Sequence, residues 1–394
     1  MSRLNVSNLF NENEDGAPVV SGISTFSSPY YFVPPSGSTA QRPQNPGEGM
    51  IRFNTDSGHL EYYTGELWVD VIVNNNELGD QNNTNSSGGT GTRGLFAGGY
   101  SPSPLGGHNI IQYITISTLG DAQDFGDLTE DMAGQGSVAS RTRGIVAGGG
   151  IEPTYTGTNV IQFVTISSTG NATDYGDLVT KTRGQGSMGD QTRGIFAGGY
   201  NPTYHNVIQY LTIASTGNSV DFGDTVIAKQ YLNSGQVNSA VRGIFAGGYT
   251  NSPAATRFNT IEYVTISTTG NSQDFGDLTV ARHRASSICN SIRGIYAGGN
   301  TGGSPEFRSN VIDFITIAST GNAQDFGDML AVTHLADGGC SSSTRGVIGG
   351  GYAPTLVNTM QSIEILSTGN SIDFGDLTIV NSNGTAFSNG HGGL

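Results

Sequence analysis

A repeat of about 50 residues constrains the fold of this chain more than any other feature of its sequence. An Arg-Gly pair, followed by two apolar residues and a Gly doublet, occurs six times, as in RGIFAGGY. The copies begin at Arg93, Arg143, Arg193, Arg242, Arg293 and Arg345. Repeats of this length bury their apolar residues against neighbouring copies, so the sequence predicts one large repeat domain.

Each repeat reads as four short strands. A weak segment, such as GQGSVAS from Gly134, precedes the Arg-Gly segment. An alternating segment, such as IQFVTIS from Ile161, follows it and leads through an STGN turn into DFGDL or a close variant. Alternation with a period of two and turns rich in Gly and Asn are typical of β-strands. The predicted fold is all-β, a six-bladed β-propeller of four-stranded blades; a β-helix would have shorter coils, and no 3.6-residue period supports a helical solenoid.

The C-terminal residues supply one more first strand. Aligning Leu377 with Leu278 places residues 384–389 at the position that residues 285–290 hold in the fifth repeat. The residues before Arg93, NTNSSGGTG, are by contrast a poor strand. We expect residues 384–389 to pair with the first repeat and close the propeller, because closure removes two open sheet edges.

The repeats resemble the kelch family of β-propellers over about residues 83–394. As in kelch repeats, a Gly doublet ends the second strand and an aromatic residue follows in the third. The third-strand aromatics are Tyr113, Phe163, Tyr210, Tyr263 and Phe314. Where kelch repeats usually carry Trp at the start of the fourth strand, this chain has Phe125, Tyr175, Phe222, Phe275, Phe326 and Phe374. The resemblance implies a kelch-like propeller.

The sequence divides into four regions. We predict an extended N-terminal docking arm at 1–38, a small β-meander at 39–73, a polar Asn/Gly/Ser linker at 74–92 and the propeller at 93–394. A meander of this size has too small a core to be robust alone, so it is expected to pack on another surface. The predicted docking anchors are the aromatic residues Phe10, Phe26, Tyr30, Phe32 and Trp68.

The meander resembles a short module found in structural proteins of tailed bacteriophages, particularly tail fibres. The residues that carry this resemblance are Arg42, Pro43, Gly49, Arg52, Asn54, Thr55, Glu61, Tyr62, Gly65 and Trp68. The repeats with STGN and DFGDL also resemble repeats in virion proteins of marine phages. Together these resemblances imply a virion structural protein.

Charge and targeting features limit the possible partners. The formal net charge is −15, which disfavours a nucleic-acid partner because phosphate binding needs clustered Lys and Arg. The sequence has no signal peptide and no run long enough to insert in a membrane. We therefore expect synthesis in a host cytoplasm and location in the virion. The two cysteines, Cys289 and Cys340, are expected to be free and buried.

No motif in the sequence predicts catalysis, a cofactor or a metal. The second Asp of each DFGD segment could contribute to a calcium site, but two carboxylates in four residues are too few to fill the shell. The preferred interpretation is structural: the Asp side chains bond backbone N–H groups of the turn or the recurrent Arg, and each Arg is expected to pair with a DFGD carboxylate of its own or a neighbouring blade. The Asp residues concerned are Asp127, Asp177, Asp224, Asp277, Asp328 and Asp376. The protein is therefore predicted not to be an enzyme.

The loop after the Gly doublet differs in every repeat, while the frame around it stays constant. This division is typical of a scaffold that carries a binding surface, with aromatic side chains suited to protein or glycan contact. The candidate binding residues, all expected to be accessible, are His108, Tyr155, Tyr204, His205, Phe258 and Phe307.

These features favour a virion protein that docks through its N-terminal segment and displays the propeller for host attachment, as a tail fibre or adhesin does. Its partners would be other virion proteins, a host cell-surface glycan or protein, and further copies of itself. The alternative is a capsid decoration protein or another particle-stabilising protein. An enzyme acting on glycans is the third hypothesis, and it would need a pocket with perturbed carboxylates.

Overall fold

The computed structural model describes residues 34–57, 59–70, 92–102, 106–151, 153–233, 235–302, 307–334 and 338–394. These residues form antiparallel β-sheets, most of them four-stranded, and contain no α-helix, so the predicted all-β class is confirmed. Contacts within the chain divide it into two units, residues 1–78 and 79–394. The division falls inside the predicted linker.

The N-terminal unit contains the predicted meander. Its strands are Ser36–Gly37, Ile51–Asn54, His59–Tyr63 and Trp68–Asp70, and a short 3-10 turn spans Thr39–Gln41. The first strand pairs in parallel with Ile51–Asn54, so the sheet begins slightly before the predicted boundary at residue 39.

A buried polar network holds this unit together. The carboxylate of Glu61 is fully buried and lies 2.5 Å from the guanidinium of Arg42 and 3.5 Å from that of Arg52. The side-chain amide of Asn54 donates a third contact at 3.1 Å. The hydrogen bond from Arg42 is the main reason that the pKa of Glu61 lies below its usual range. Four residues that carry the phage resemblance therefore form the internal frame of the module.

The repeats contribute four strands each, with one exception. The second strands are Arg93–Ser101, Arg143–Ala147, Arg193–Tyr200, Arg242–Ala246, Arg293–Ala297 and Arg345–Gly349. The third strands are Gly106–Thr115, Thr156–Thr165, Tyr204–Thr212, Thr260–Thr265, Ser309–Thr316 and Thr359–Glu364. The fourth strands are Gln123–Asp127, Thr173–Thr182, Val220–Asp224, Gln273–Asp277, Gln324–Thr333 and Ile372–Asp376. The first strands are Gly136–Ala139, Gly186–Gly189, Ser286–Cys289 and Gly339–Ser341, for repeats 2, 3, 5 and 6.

Short strands extend these sheets at one end. They are Met132–Ala133, Gly150–Ile151, Tyr249–Thr250, Thr256–Arg257, Tyr352–Ala353 and Thr355–Leu356. Each lies in a loop that follows a Gly doublet or that leads from one repeat to the next.

The fourth repeat departs from the prediction because it forms no regular first strand. Only an isolated bridge joins Asn238 to Gly243. The side chain of Asn233 instead accepts the backbone N–H of Ala246 at 2.9 Å. A side-chain amide thus replaces the hydrogen bond that a strand backbone would supply.

The C-terminal strand Thr385–Ser388 pairs with the second strand of repeat 1, with Thr385 opposite Ala97 and Ser388 opposite Gly94. It occupies the place that a first strand holds in the other repeats. Beyond it, His391 is buried and donates to the carbonyl of Ala139 in repeat 2, while accepting from the amide of Asn238 in repeat 4. The last residues therefore contact three different repeats.

The Gly of each Arg-Gly pair is required by packing between repeats. A Cβ atom at this position would collide with a first-strand side chain of the preceding repeat. The side chains concerned are Cys340, Phe387, Val138, Met188, Val237 and Ile288, against Gly94, Gly144, Gly194, Gly243, Gly294 and Gly346. The series includes a contact between repeats 6 and 1, and in repeat 1 the C-terminal Phe387 provides the side chain.

The recurrent Arg side chains do not pair with the DFGD carboxylates among the described residues, so that prediction was wrong. In five repeats the guanidinium carbon lies over the third-strand aromatic ring, as that of Arg143 does 4.4 Å from the centre of Phe163. This orientation points its N–H groups toward the next repeat, where they donate to a backbone carbonyl. The donor and acceptor pairs are Arg93–Ile166, Arg143–Ile213, Arg193–Ile266, Arg242–Ile317, Arg293–Ile365 and Arg345–Ile116.

The DFGD and STGN segments form a second set of links between repeats. The backbone N–H of Asp127 donates to the side chain of Asn171 in the following repeat at 3.1 Å. The equivalent bond is present in repeats 2 to 5. Between repeats 6 and 1 the acceptor is Asp121, which replaces Asn in the first turn. Each DFGD segment thus bonds to the following turn through its backbone, and its carboxylates are not required for the link.

Two buried ion pairs replace a neutral pair found elsewhere in the repeats. Arg282 and Asp313 are fully buried and 2.6 Å apart, and Lys229 and Glu262 are 2.8 Å apart. The equivalent positions between repeats 1 and 2 hold Met132 and Gln162, whose amide contacts the sulfur at 3.4 Å.

We expect Arg282→Met to lower the free energy of unfolding by about 3–5 kcal/mol, because it leaves the carboxylate of Asp313 buried without its cation. The double variant Arg282→Met/Asp313→Gln recreates the Met132–Gln162 pair and should recover most of that loss. Denaturant unfolding of the single and double variants measures both effects. A double variant as unstable as Arg282→Met would contradict the equivalence of the two pairs.

Candidate binding site

The loops after the Gly doublets and the loops between repeats meet at one end of the sheets. Antiparallel pairing places the end of each second strand beside the start of the third strand and beside the segment that enters the first strand of the same repeat. Bridges between these loops join Arg183 to Tyr200, Gln230 to Tyr249, His283 to Asn300 and His334 to Tyr352. This end carries the sequence-variable residues of the repeats.

A chain of backbone hydrogen bonds connects the loops between repeats. Gly134 donates to the carbonyl of Asn383, Gly184 to that of Gly134, Tyr231 to that of Gly184 and Arg284 to that of Tyr231, at 2.6–3.0 Å. These five residues occupy the same position in successive repeats. All five have positive φ angles, between 54° and 71°. The site is therefore built on a repeated left-handed backbone position.

Only four non-Gly residues in the described part of the chain have a positive φ, and all four lie here: Tyr155, Tyr231, Arg284 and Asn383. A left-handed conformation costs about 1–2 kcal/mol for a residue with a Cβ atom. Residues held in such conformations cluster at binding and catalytic sites. At Gly134 and Gly184 the equivalent space is covered by the Tyr155 hydroxyl and the Tyr231 ring.

Arginine and tyrosine side chains alternate over this backbone. The guanidinium carbon of Arg183 lies 4.1 Å from the centre of the Tyr155 ring and 5.2 Å from that of Tyr200. That of Arg284 lies 3.7 Å from the centre of the Tyr231 ring. We call these five residues, Tyr155, Arg183, Tyr200, Tyr231 and Arg284, the arginine–tyrosine cluster. All five are partly exposed.

The positive charge of the cluster is not neutralised by any described carboxylate. Neither Arg183 nor Arg284 forms an ion pair within the part of the chain that the structure describes. The Nε atom of Arg284 is buried and has no hydrogen-bond partner there. The Nε atoms of Arg93 and Arg282 are also buried without a partner, so this feature alone does not mark a ligand site.

Two neighbouring histidines add no charge at neutral pH. Burial and the nearby Arg284 lower the pKa of His283 to about 3 and that of His334 to about 4. Burial, with the neighbouring Tyr231, raises the pKa of the Tyr155 hydroxyl, which therefore stays protonated. The charge of this surface at neutral pH comes from the arginines.

A shallow cleft of about 320 Å³ adjoins the cluster at Tyr200. Its other walls include Pro202, Tyr204, Thr250 and Ser252, so it lies between repeats 3 and 4. Tyr200 and Tyr204 contact each other edge to face, with ring centres 5.0 Å apart. The cleft and the cluster therefore share one aromatic surface.

The four aromatic residues predicted in the loops are exposed or partly exposed. Tyr155 lies in the cluster, Tyr204 lines the cleft and Phe307 is exposed. Phe258 is partly buried, with its ring 5.3 Å from the ammonium of Lys229.

The predicted accessibility of His108 was wrong, because its ring is buried and donates to Asn381 at 2.9 Å. Room for Asn381 exists because Gly99, which lies opposite His108, has no side chain. His205 is likewise partly buried and bonds to Thr182 at 2.9 Å. Both histidines bond a loop to the segment that enters the first strand of the same repeat.

The cluster residues that sequence reasoning missed are Arg183, Tyr200, Tyr231 and Arg284. Tyr200 ends a second strand, and the other three lie in the connections between repeats, where no binding residue was predicted. A signal was present, because Tyr231 and Arg284 align with Gly134 and Gly184. A large side chain at a repeated Gly position indicates a local departure from the scaffold.

The N-terminal unit carries a separate surface feature. Ile51, Phe53, Tyr62 and Val69 are exposed on one face of its sheet, as the pairing of Ile51 with Tyr62 and of Tyr62 with Val69 requires. Trp68 belongs to the opposite face.

The Trp68 ring centre lies 5.4 Å from that of Tyr63 and 5.8 Å from the Arg42 guanidinium. Its docking role stays a prediction. The other predicted anchors, Phe10, Phe26, Tyr30 and Phe32, lie outside the described residues.

Within the described ranges, no three His, Cys, Asp or Glu side chains are grouped as a metal site would require. Cys289 and Cys340 are buried and free, as predicted, and burial raises the pKa of the Cys289 thiol to about 11. The same ranges contain no helix long and apolar enough to cross a membrane. No protein-family model and no curated protein matches the sequence.

We expect Arg284→Gly to leave the melting temperature essentially unchanged. The substitution relieves about 1–2 kcal/mol of left-handed strain, which offsets about 0.5–1 kcal/mol of added chain entropy and a similar loss of stacking on Tyr231. Gly already occupies this position at Gly134 and Gly184, so the backbone tolerates it. Calorimetry of the full chain measures the effect. A large drop in melting temperature would mean that Arg284 is mainly structural.

Proposed function

We propose that residues 93–394 form a closed six-bladed β-propeller and that the chain is a non-enzymatic virion protein of a tailed phage. In this proposal the N-terminal segment docks on the particle and the propeller is displayed for contact with the host surface. The observation that carries the binding role is the arginine–tyrosine cluster, which lies at the end of the repeats where the loops vary.

Closure is supported by contacts that recur between all neighbouring repeats and again between repeats 6 and 1. Arg345 of repeat 6 donates to the carbonyl of Ile116 in repeat 1, as each earlier Arg does to the repeat after it. Gly120 of repeat 1 donates to Phe374 of repeat 6 at 2.9 Å. The C-terminal strand supplies the first strand that repeat 1 otherwise lacks. A cyclic series of equivalent contacts is what a propeller needs.

Docking is supported by the N-terminal unit. Its polar frame is buried, while Ile51, Phe53, Tyr62 and Val69 are exposed on one sheet face. An exposed apolar face rimmed by polar residues is typical of a protein–protein interface. We propose that a structural protein of the particle covers this face. The resemblance of the module to phage tail proteins, carried by Arg42, Arg52, Asn54 and Glu61 among others, motivates the choice of partner.

A capsid decoration protein is the second candidate. The same apolar face would then dock on shell subunits, and the propeller would protect or stabilise the particle. The unpaired charge of Arg183 and Arg284 favours the host-contact role, because a purely protective domain has no need of exposed, unneutralised cations. A glycan-cleaving enzyme is less favoured, since the described part of the cluster contains no pair of carboxylates to act as acid and base.

Immunogold labelling of intact particles, with antibody against residues 93–394, tests the location. Label on the tail or its fibres supports host attachment, and label spread over the head supports decoration. Particles without label would refute the virion proposal.

We expect removal of residues 385–394 to destabilise the whole repeat domain, because it deletes the strand that pairs with Arg93–Ser101 and the buried His391. A milder test is Phe387→Ala, which should lower the free energy of unfolding by about 3–5 kcal/mol. Phe307→Ala removes the same ring from an exposed position and serves as the control. If the truncated chain melts at the temperature of the full chain, the closure proposal fails.

A further inference from the structure

We infer that the arginine–tyrosine cluster binds an acidic polysaccharide, with its carboxylate or sulfate groups held by Arg183 and Arg284 and its sugar rings stacked on the tyrosines. The inference rests on the proposed display function and adds the chemical class of the ligand.

The positive charge of the cluster favours an anionic ligand. Arg183 and Arg284 have no carboxylate partner among the described residues, although the whole chain carries a net charge of −15. A guanidinium presents a planar set of N–H groups that matches a carboxylate, sulfate or phosphate oxygen pair.

Each cation lies against an aromatic ring. The guanidinium carbon of Arg183 is 4.1 Å from the centre of the Tyr155 ring, and that of Arg284 is 3.7 Å from the centre of the Tyr231 ring. The accessible parts of the tyrosine rings provide apolar surface beside the charge. A sugar ring carrying an acidic group has the matching combination, because its C–H face is apolar and its substituents are polar.

The extent of the surface favours a polymer over a single sugar. The cluster draws on the connections into repeats 3, 4 and 5, through Arg183, Tyr231 and Arg284. At Tyr200 it continues into the cleft lined by Tyr204 and Ser252. A ligand that contacts both Arg284 and Tyr204 crosses the loops of three repeats, which needs several linked sugar units.

The overall charge disfavours a nucleic acid. The chain has 17 Lys and Arg residues against 32 Asp and Glu, so long-range repulsion opposes a long polyanion that is bound only through its charge. A ligand with sugar rings between its charges gains stacking as well as ion pairing. Single-stranded DNA, whose bases also stack on aromatic rings, is therefore the comparison that separates the two classes. Acidic peptides lack flat sugar rings, so poly-glutamate serves as a comparison ligand.

The test measures binding of the purified full chain to polygalacturonate and to a sulfated galactan, with dextran, poly-glutamate and single-stranded DNA as comparisons. We expect saturable binding to at least one acidic polysaccharide and none to dextran. The affinity should fall as salt rises from 50 to about 200 mM, because exposed charges are screened. A preference between the first two ligands distinguishes a carboxylate from a sulfate.

The variants Arg183→Gln and Arg284→Gly should each weaken binding at least tenfold. The control is Arg141→Gln, which removes one exposed positive charge from a turn at the opposite end of repeat 2. The melting temperature of each variant is measured as well, so that loss of binding is distinguished from loss of folding.

Absence of binding to both acidic polysaccharides, equal binding to poly-glutamate or DNA, or equal losses in Arg141→Gln would each overturn the inference. The labelling experiment is independent of these results. A labelled particle whose protein binds no acidic glycan would therefore reject the ligand class and leave the display function standing.

Discussion

Contact between neighbouring repeats is the interaction on which the rest of the structure depends. A single four-stranded sheet has little core of its own, and the apolar clusters here draw residues from adjacent repeats, as Phe387, Leu95 and Val146 do. The close approach is possible because a Gly follows each Arg, leaving room for a first-strand side chain from the neighbour. The guanidinium then spans the same boundary to a backbone carbonyl. The Arg-Gly pair is thus explained by the interface between repeats more than by the strand in which it lies.

This dependence also explains what could be predicted from the sequence. Strands, turns and the C-terminal strand could be predicted because their signals are local or repeat in register. The partner of the recurrent Arg could not, because a repeat pattern shows that Arg and Asp recur together but not which repeat lies beside which. The DFGD carboxylates were the charged groups that recur in every repeat, whereas the guanidinium of Arg143 donates to the carbonyl of Ile213 in the next repeat. The irregular first strand of repeat 4 could not be predicted either, because a single hydrogen bond to the side chain of Asn233 takes the place of a strand backbone bond.

The candidate site was predicted in part. Variable loops drew attention to Tyr155 and Tyr204, and both lie on the aromatic surface. His108 was misjudged because variability was taken to mean exposure, although a loop residue can be variable and still fill a cavity left by an opposing Gly. Arg183, Tyr231 and Arg284 were missed because the connections between repeats were treated only as strands of the scaffold. Their role depends on the three-dimensional convergence of several loops, which no single repeat reveals.

The left-handed position shows how a repeat scaffold can acquire a binding site in only some of its copies. The hydrogen bonds that link these loops use backbone N–H and C=O groups, so they form whether the residue is Gly134, Gly184, Tyr231 or Arg284. The side chain at this position therefore takes no part in the hydrogen bonds that link the repeats. A residue with a Cβ atom is disfavoured there by strain of about 1–2 kcal/mol. A glycine would remove that strain, and two repeats have one. Tyr231 and Arg284 keep the strained conformation and lie against each other, with the guanidinium carbon of Arg284 3.7 Å from the centre of the Tyr231 ring. Strain of this kind is often kept at functional sites, which is why these two positions are candidates for a binding role.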